Sequence, residues 1–196
     1  FTQYKPIVDA ANVNEFIGDF SFWLGLICMI GYPIGGVLVD KFGEKWLLII
    51  GALLMGACTF WYGMLPGRMA IIVIHGLFGI GTSFFVWGAY LKTTRKLGTG
   101  AEQGKLFSSS EFIRAIIGMT LGFLGVALLN HAVMPGGTTD LELLGKQWHT
   151  MMFLNGSMFV VLAIGVFFLL PGKITGAEEA ELAAKGEALP EQEKLS

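Results

Sequence analysis

Charge is what this chain has least of. Only 14% of its 196 residues are Asp, Glu, Lys or Arg, against about a quarter in a soluble domain, and that excludes an ordinary water-facing globule. The few charges are also clustered: residues 20–39, 46–67, 69–91 and 147–172 carry none. Cysteine is nearly absent. Cys28 and Cys58 both fall inside apolar runs, where a thiol serves as a small packing residue, so there is no ground for a disulfide framework. His75, His131 and His149 show no metal-ligand spacing with one another or with the cysteines, and no metal site is expected. No nucleophile–base set stands out, so neither a catalytic residue nor a cofactor is expected. A net charge of −2 names no partner, and none is expected among nucleic acids. Nothing fits a short N-terminal signal segment. The chain opens on Phe1 rather than Met, which reads as a fragment or a trimmed chain.

What is present is apolar length. Each uncharged run reaches the roughly 20 residues that a helix needs to cross a bilayer, and a fifth, about 107–129, is interrupted by Arg114 alone. The expected fold is all-α, a polytopic transmembrane helix bundle over 1–172 with spans at about 17–39, 46–66, 69–91, 107–130 and 148–171. "LPGR" (65–68) reads as a tight turn, 92–105 as a basic connection and 131–147 as a polar loop. Residues 173–196, rich in Ala and Glu and poor in aromatics, read as a solvated linker or tail. Five spans put the two ends on opposite sides. Placing Lys41, Lys45, Lys92, Arg95, Lys96 and Lys105 inside leaves Lys5, Arg68 and Lys146 outside, the arrangement the positive-inside rule favours. The N-terminal end is then expected outside and the tail in the cytoplasm.

Several residues invite a reading of their own. "GTGAEQGKL" imitates a phosphate-binding loop, but Thr99 and Leu106 occupy positions that need Gly and Ser or Thr, so it is set aside. Pro33 is expected to bend the first complete span. Trp23, Trp46, Trp61, Trp87, Trp148, Tyr62 and Tyr90 read first as an interfacial belt, with Trp87 and Tyr90 as candidates to line a pathway. Ser108-x-x-Glu111 has capping-box spacing, which predicts a helix start near Ser108. Arg114 then lies inside the span and leaves two alternatives. Either it snorkels or pairs with Glu111 three residues earlier, or it faces a cavity and holds an anionic group.

The stretch "GGVLVDKFGEKW" (35–46) puts four charges and a glycine between two apolar runs. Gly36-x-x-x-Asp40-Lys41-x-Gly43-x-Lys45 resembles the signature loop between the second and third helices of the major facilitator superfamily. Physically, Gly36 would let a neighbouring backbone approach, Gly43 would permit the turn, and Asp40 would accept from a helix N-terminus or a basic side chain. Glu44 departs from the pattern, which usually has a basic residue there. His75-x-x-x-Gly79-x-Gly81 is similar to the family's fourth-helix pattern with His in place of its Arg, and Gly118-x-x-x-Gly122-x-x-Gly125 to its glycine-rich fifth helix. "WGAYLKTTRKLG…EQGKLF…SEFIRA" also looks like a bacterial branch of the superfamily.

The resemblance implies helices two to six of a transporter's N-terminal half, lacking the first helix and the C-terminal half. It implies a secondary transporter in a bacterial inner membrane, moving a small solute, an organic anion or a sugar derivative, by alternating access and with a coupling ion. Asp40, Lys41, Gly36, Gly43 and Lys45 would gate it. Arg114, His75 and Glu111 would be candidates for solute or coupling, and Gly79, Gly81, Gly118, Gly122 and Gly125 for helix packing. The alternatives are a non-transporting multi-span scaffold or assembly protein and an integral membrane enzyme acting on lipid.

Overall fold

A computed structural model describes residues 10–96, 103–130 and 140–170. Five helices account for nearly all of them: α1 (Ala10–Phe42), α2 (Glu44–Gly63), α3 (Arg68–Lys96), α4 (Gln103–Asn130) and α5 (Leu141–Leu169). Within α3, Gly81–Val86 is wound as a π-helix between two α-helical segments. All five are long and apolar enough to cross a membrane. The chain is an all-α, polytopic membrane helix bundle. The expected tail (173–196), Phe1, Lys5, His131 and most of the 131–147 loop lie outside the described residues.

Local chemistry sets the helix ends. α1 stops at Gly43, whose φ of 77° is the left-handed conformation that glycine adopts at little cost, and its N–H closes on Val39 O at 3.0 Å. α2 ends at Gly63, three residues before the expected 66, and the turn after it includes Leu65 at φ 56°. α5 begins at Leu141 rather than near Trp148, because Asp140 caps it: its Oδ1 accepts from the N–H groups of Glu142 and Leu143, both at 3.0 Å. Part of the expected loop is therefore helix, and Glu142 and Lys146 pair across one of its turns at 2.8 Å. The expected cap at Ser108 is also corrected. α4 is already helical at Gln103, and the Ser108 hydroxyl donates back to Gly104 O and Lys105 O, as a serine does inside a helix.

Packing follows the small residues. α2 and α5 run antiparallel along their length. A Cβ on Gly56 would lie 3.2 Å from Phe159 Cβ, and Ile49 and Ala52 bury themselves against Ala163. α1 crosses α3 where Gly31 and Gly35 meet Ser83 and Phe84, with Gly88 closing on Gly35 O from the other side. Without hydrophobic drive between helices in lipid, such close backbone contact is what holds the crossing. Ser83 is fully buried there and donates to Gly79 O at 2.6 Å. α1 continues as helix through Pro33. α4 is the least covered element, with Phe112, Ile113, Met119 and Phe123 exposed.

Candidate functional site

The turn at residues 40–45 sits where α1, α2, α3 and α5 converge. Asp40 accepts from Lys92 at 3.2 Å, and Glu44 from Lys96 at 2.7 Å. Asp40 and Glu44 flank the Gly43 turn, while Lys92 and Lys96 stand one turn apart on α3. The result is a two-rung charged ladder fastening the loop to the end of α3. The rungs differ in burial. Asp40 is 70% exposed, whereas the Glu44 and Lys96 side chains are 12% and 17% exposed. Glu44 is thus the better-enclosed of the two acids. Lys45 lies over the Phe167 ring at 5.1 Å, which ties α5 to the same end, and Lys41 over Phe42 at 5.6 Å. The expected close approach at Gly36 is corrected. A Cβ there would meet nothing within 4 Å, and the crowded position is Gly35.

Beside the ladder, α1 and α3 leave a groove of about 380 Å³, lined by Tyr32, Asp40, Trp87, Leu91, Lys92 and Arg95 among others. Ring contacts run on from its wall. Tyr32 meets Trp87 edge-on at 6.2 Å between centroids, and Trp87 meets Tyr90 at 5.8 Å. Tyr90 in turn donates to Glu111 Oε1 at 3.1 Å and shares a hydrogen bond with the Ser110 hydroxyl at 2.6 Å. Arg114 donates from Nε to Glu111 Oε2 at 3.0 Å and pairs with the same oxygen through a terminal nitrogen. The structure thus brings together Glu111 and Arg114, which the sequence singled out, with Tyr90 and Ser110. Tyr90 was legible as an interfacial aromatic and as a candidate to line a pathway, but not as a partner of Glu111. Arg114 pairs with Glu111 on a face that the described residues leave open.

His75 belongs elsewhere. It lies fifteen residues from Tyr90 on α3, roughly 22 Å at 1.5 Å per residue. Its Nδ1 donates to Ile71 O at 2.8 Å, and its ring lies among Phe20, Tyr62 and Phe78, with centroids 4.2, 5.5 and 6.2 Å away. The same end of the bundle holds Arg68 paired with Asp19 and Glu15, and Trp148 donating to Tyr62 O. Of the packing glycines, Gly79 lies against Ile27, Gly81 against Met55 and Gly125 against Met151. Gly118 and Gly122 are corrected: a Cβ on either meets nothing within 4 Å, so no described helix packs on that face. Among the described residues, no His, Cys, Asp and Glu cluster is arranged to hold a metal.

No family model matches the chain, and no solved structure matches it. Two curated relatives come from Escherichia coli (strain K12). "Inner membrane protein YihN" is 25% identical over 122 residues, 62% of this chain and 27% of the relative. "Inner membrane protein YqcE" is 23% identical over 157 residues, 80% of this chain and 35% of the relative. The chain therefore spans about a third of the length of these relatives.

Proposed function

We propose that the chain is most of the N-terminal half of a secondary transporter of the major facilitator type, integral to a bacterial inner membrane. In this reading a first helix and a second half-bundle complete the pathway, and a small solute crosses by alternating access. The observation that carries the proposal is the charged ladder. The Gly36-x-x-x-Asp40-Lys41-x-Gly43-x-Lys45 stretch folds as a helix-to-helix turn whose acid is held by a lysine of another helix, Lys92. A turn between two spans needs only polarity. A turn clamped by Asp40 and Glu44 to one particular helix end suits a device that is made and broken. The relatives named as inner membrane proteins support the membrane assignment.

The full-length transporter in proteoliposomes tests this. Each liposome would be loaded with a mixture of organic acids and sugar phosphates, with exchange followed by mass spectrometry. Asp40→Asn should slow exchange by about tenfold while leaving the inserted amount unchanged, because an exposed ion pair contributes only about 0–1 kcal/mol to stability. Exchange at the wild-type rate would remove Asp40 from the switch. No exchange of any solute by well-inserted wild type would count against the transporter itself.

Orientation has its own test. Thr94 is buried and donates to Tyr90 O, so it is a poor labelling site. Single cysteines are better placed at Thr99 and Thr138, with Cys28 and Cys58 replaced by alanine. In intact cells an impermeant maleimide should label position 138 and reach position 99 only after permeabilisation. The opposite pattern inverts the bundle.

A further inference from the structure

We propose that the Gly43 turn holds an anionic glycerophospholipid, its phosphate between Lys41 and Lys45 and its acyl chains along α2. The inference concerns a lipid partner and does not depend on the transporter reading.

The turn carries two acids and two lysines, and the fold employs them differently. Asp40 and Glu44 face α3, where Lys92 and Lys96 hold them. Lys41 and Lys45 have no acid partner among the described residues. Their ammonium groups lie against rings instead, Lys41 over Phe42 at 5.6 Å and Lys45 over Phe167 at 5.1 Å. A ring face attracts the charge, but it leaves the N–H donors of each ammonium without an oxygen. That oxygen has to come from outside the bundle.

What surrounds the two lysines is apolar and uncovered. Phe42 and Trp46 are nearly half exposed, and Phe168 and Leu169, next to Phe167 on α5, are 77% and 84% exposed. Trp46, Ile50 and Leu53 continue down α2 as an exposed stripe, at the i, i+4 and i+7 spacing that puts side chains on one helix face. The stripe begins beside Lys45 and runs from the end of the span towards its middle. Its seven residues cover about 10 Å, more than half of a leaflet's hydrocarbon depth of about 15 Å. Lysines in this turn would by themselves satisfy the positive-inside rule. That rule asks only for charge. It does not seat Lys45 on a ring of α5 with an apolar stripe leading away from it.

The head group follows from the charges. A phosphodiester has two unesterified oxygens, one for each ammonium, and its attraction to them is stronger beside apolar side chains than in open water. A zwitterionic head group adds an ammonium that needs an acid, and both acids of the turn are already engaged by α3. Phosphatidylglycerol is therefore favoured over phosphatidylethanolamine.

The full-length protein in mild detergent tests this by native mass spectrometry, with phosphatidylglycerol, phosphatidylethanolamine and glycerol phosphate as probes. Phosphatidylglycerol should bind more tightly than the other two. A lysine beside an anionic head group contributes about fivefold, so Lys41→Gln with Lys45→Gln should weaken phosphatidylglycerol by about 25-fold. Lys41→Arg with Lys45→Arg should keep the preference, which separates loss of charge from loss of fold. Phe167→Leu should weaken binding less than the double glutamine variant, because it loosens Lys45 alone. Lys105→Gln removes an exposed charge from the start of α4 and should change nothing. Equal retention of the two lipids, undiminished affinity in the double glutamine variant, or an equal loss in Lys105→Gln would overturn the proposal. Glycerol phosphate bound as tightly as phosphatidylglycerol would also overturn it, since the acyl chains would then contribute nothing.

Discussion

Gly35→Ala should cost the bundle its α1–α3 crossing, and with it most of the folded protein recovered from membranes. A methyl group on Gly35 would run into the backbone oxygens of Ser83 and Phe84, not into a side chain that can turn away. Overpacking costs about 1–3 kcal/mol where side chains absorb it, and more where backbones must part. The partner helix is pinned at this point, because Ser83 is fully buried and bonded to Gly79 O. Gly36→Ala is the matched control. Its added methyl meets nothing within 4 Å and should leave yield and thermal stability in detergent unchanged. Equal behaviour of the two variants would mean that α1 and α3 do not cross as described.

The second large effect is expected at Glu44. Glu44→Lys sets two ammonium groups together where the native side chains are 12% and 17% exposed. Breaking an enclosed ion pair from one side costs about 3–5 kcal/mol, since the remaining charge keeps its desolvation penalty without its partner. The variant should unfold at markedly lower temperature than Asp40→Asn, whose carboxylate is largely in solvent. Exchanging the partners, Glu44→Lys with Lys96→Glu, should recover part of the loss. Recovery will be partial, because Lys96 has contacts besides Glu44. A double variant no better than the single one would show that the two side chains do not interact, and the inner rung of the ladder would go with it.

The five spans were legible because lipid leaves one rule with few exceptions: long uncharged runs become helices. The Gly43 turn was legible for a similar reason, since a glycine between charges and two apolar runs has few other uses. What escaped was pairing. Nothing in "DKFGEK" says that Glu44 will find Lys96 rather than a neighbouring lysine, because that choice depends on how α2 and α3 lie side by side. The glycine patterns were read by spacing, yet spacing does not distinguish Gly35 from Gly36 until the facing helix is known. At Gly118 and Gly122 the pattern is present and no described neighbour meets it. The start of α5 was in principle readable. Asp140 precedes Leu141-Glu142-Leu143, an acidic cap before an acidic first turn, but the absence of charge after Lys146 drew the boundary too late.

The π-helical stretch of α3 changes what any helical wheel says about this span. Six residues wound at about 4.4 per turn advance roughly 82° each instead of 100°, so everything after Val86 lags by about 110° of phase. On an unbroken α-helix, His75 and Trp87 would project about 120° apart. With the lag they fall almost on one line. That is why both address α1, His75 through Phe20 near one end and Trp87 through Tyr32 near the other. A single wide turn thus keys two distant aromatic contacts to the same neighbour. Deleting one residue from Gly81–Val86 would let α3 run on as a plain α-helix with His75 and Trp87 eleven residues apart, about 20° in projection, so both contacts with α1 should survive the loss of the wide turn.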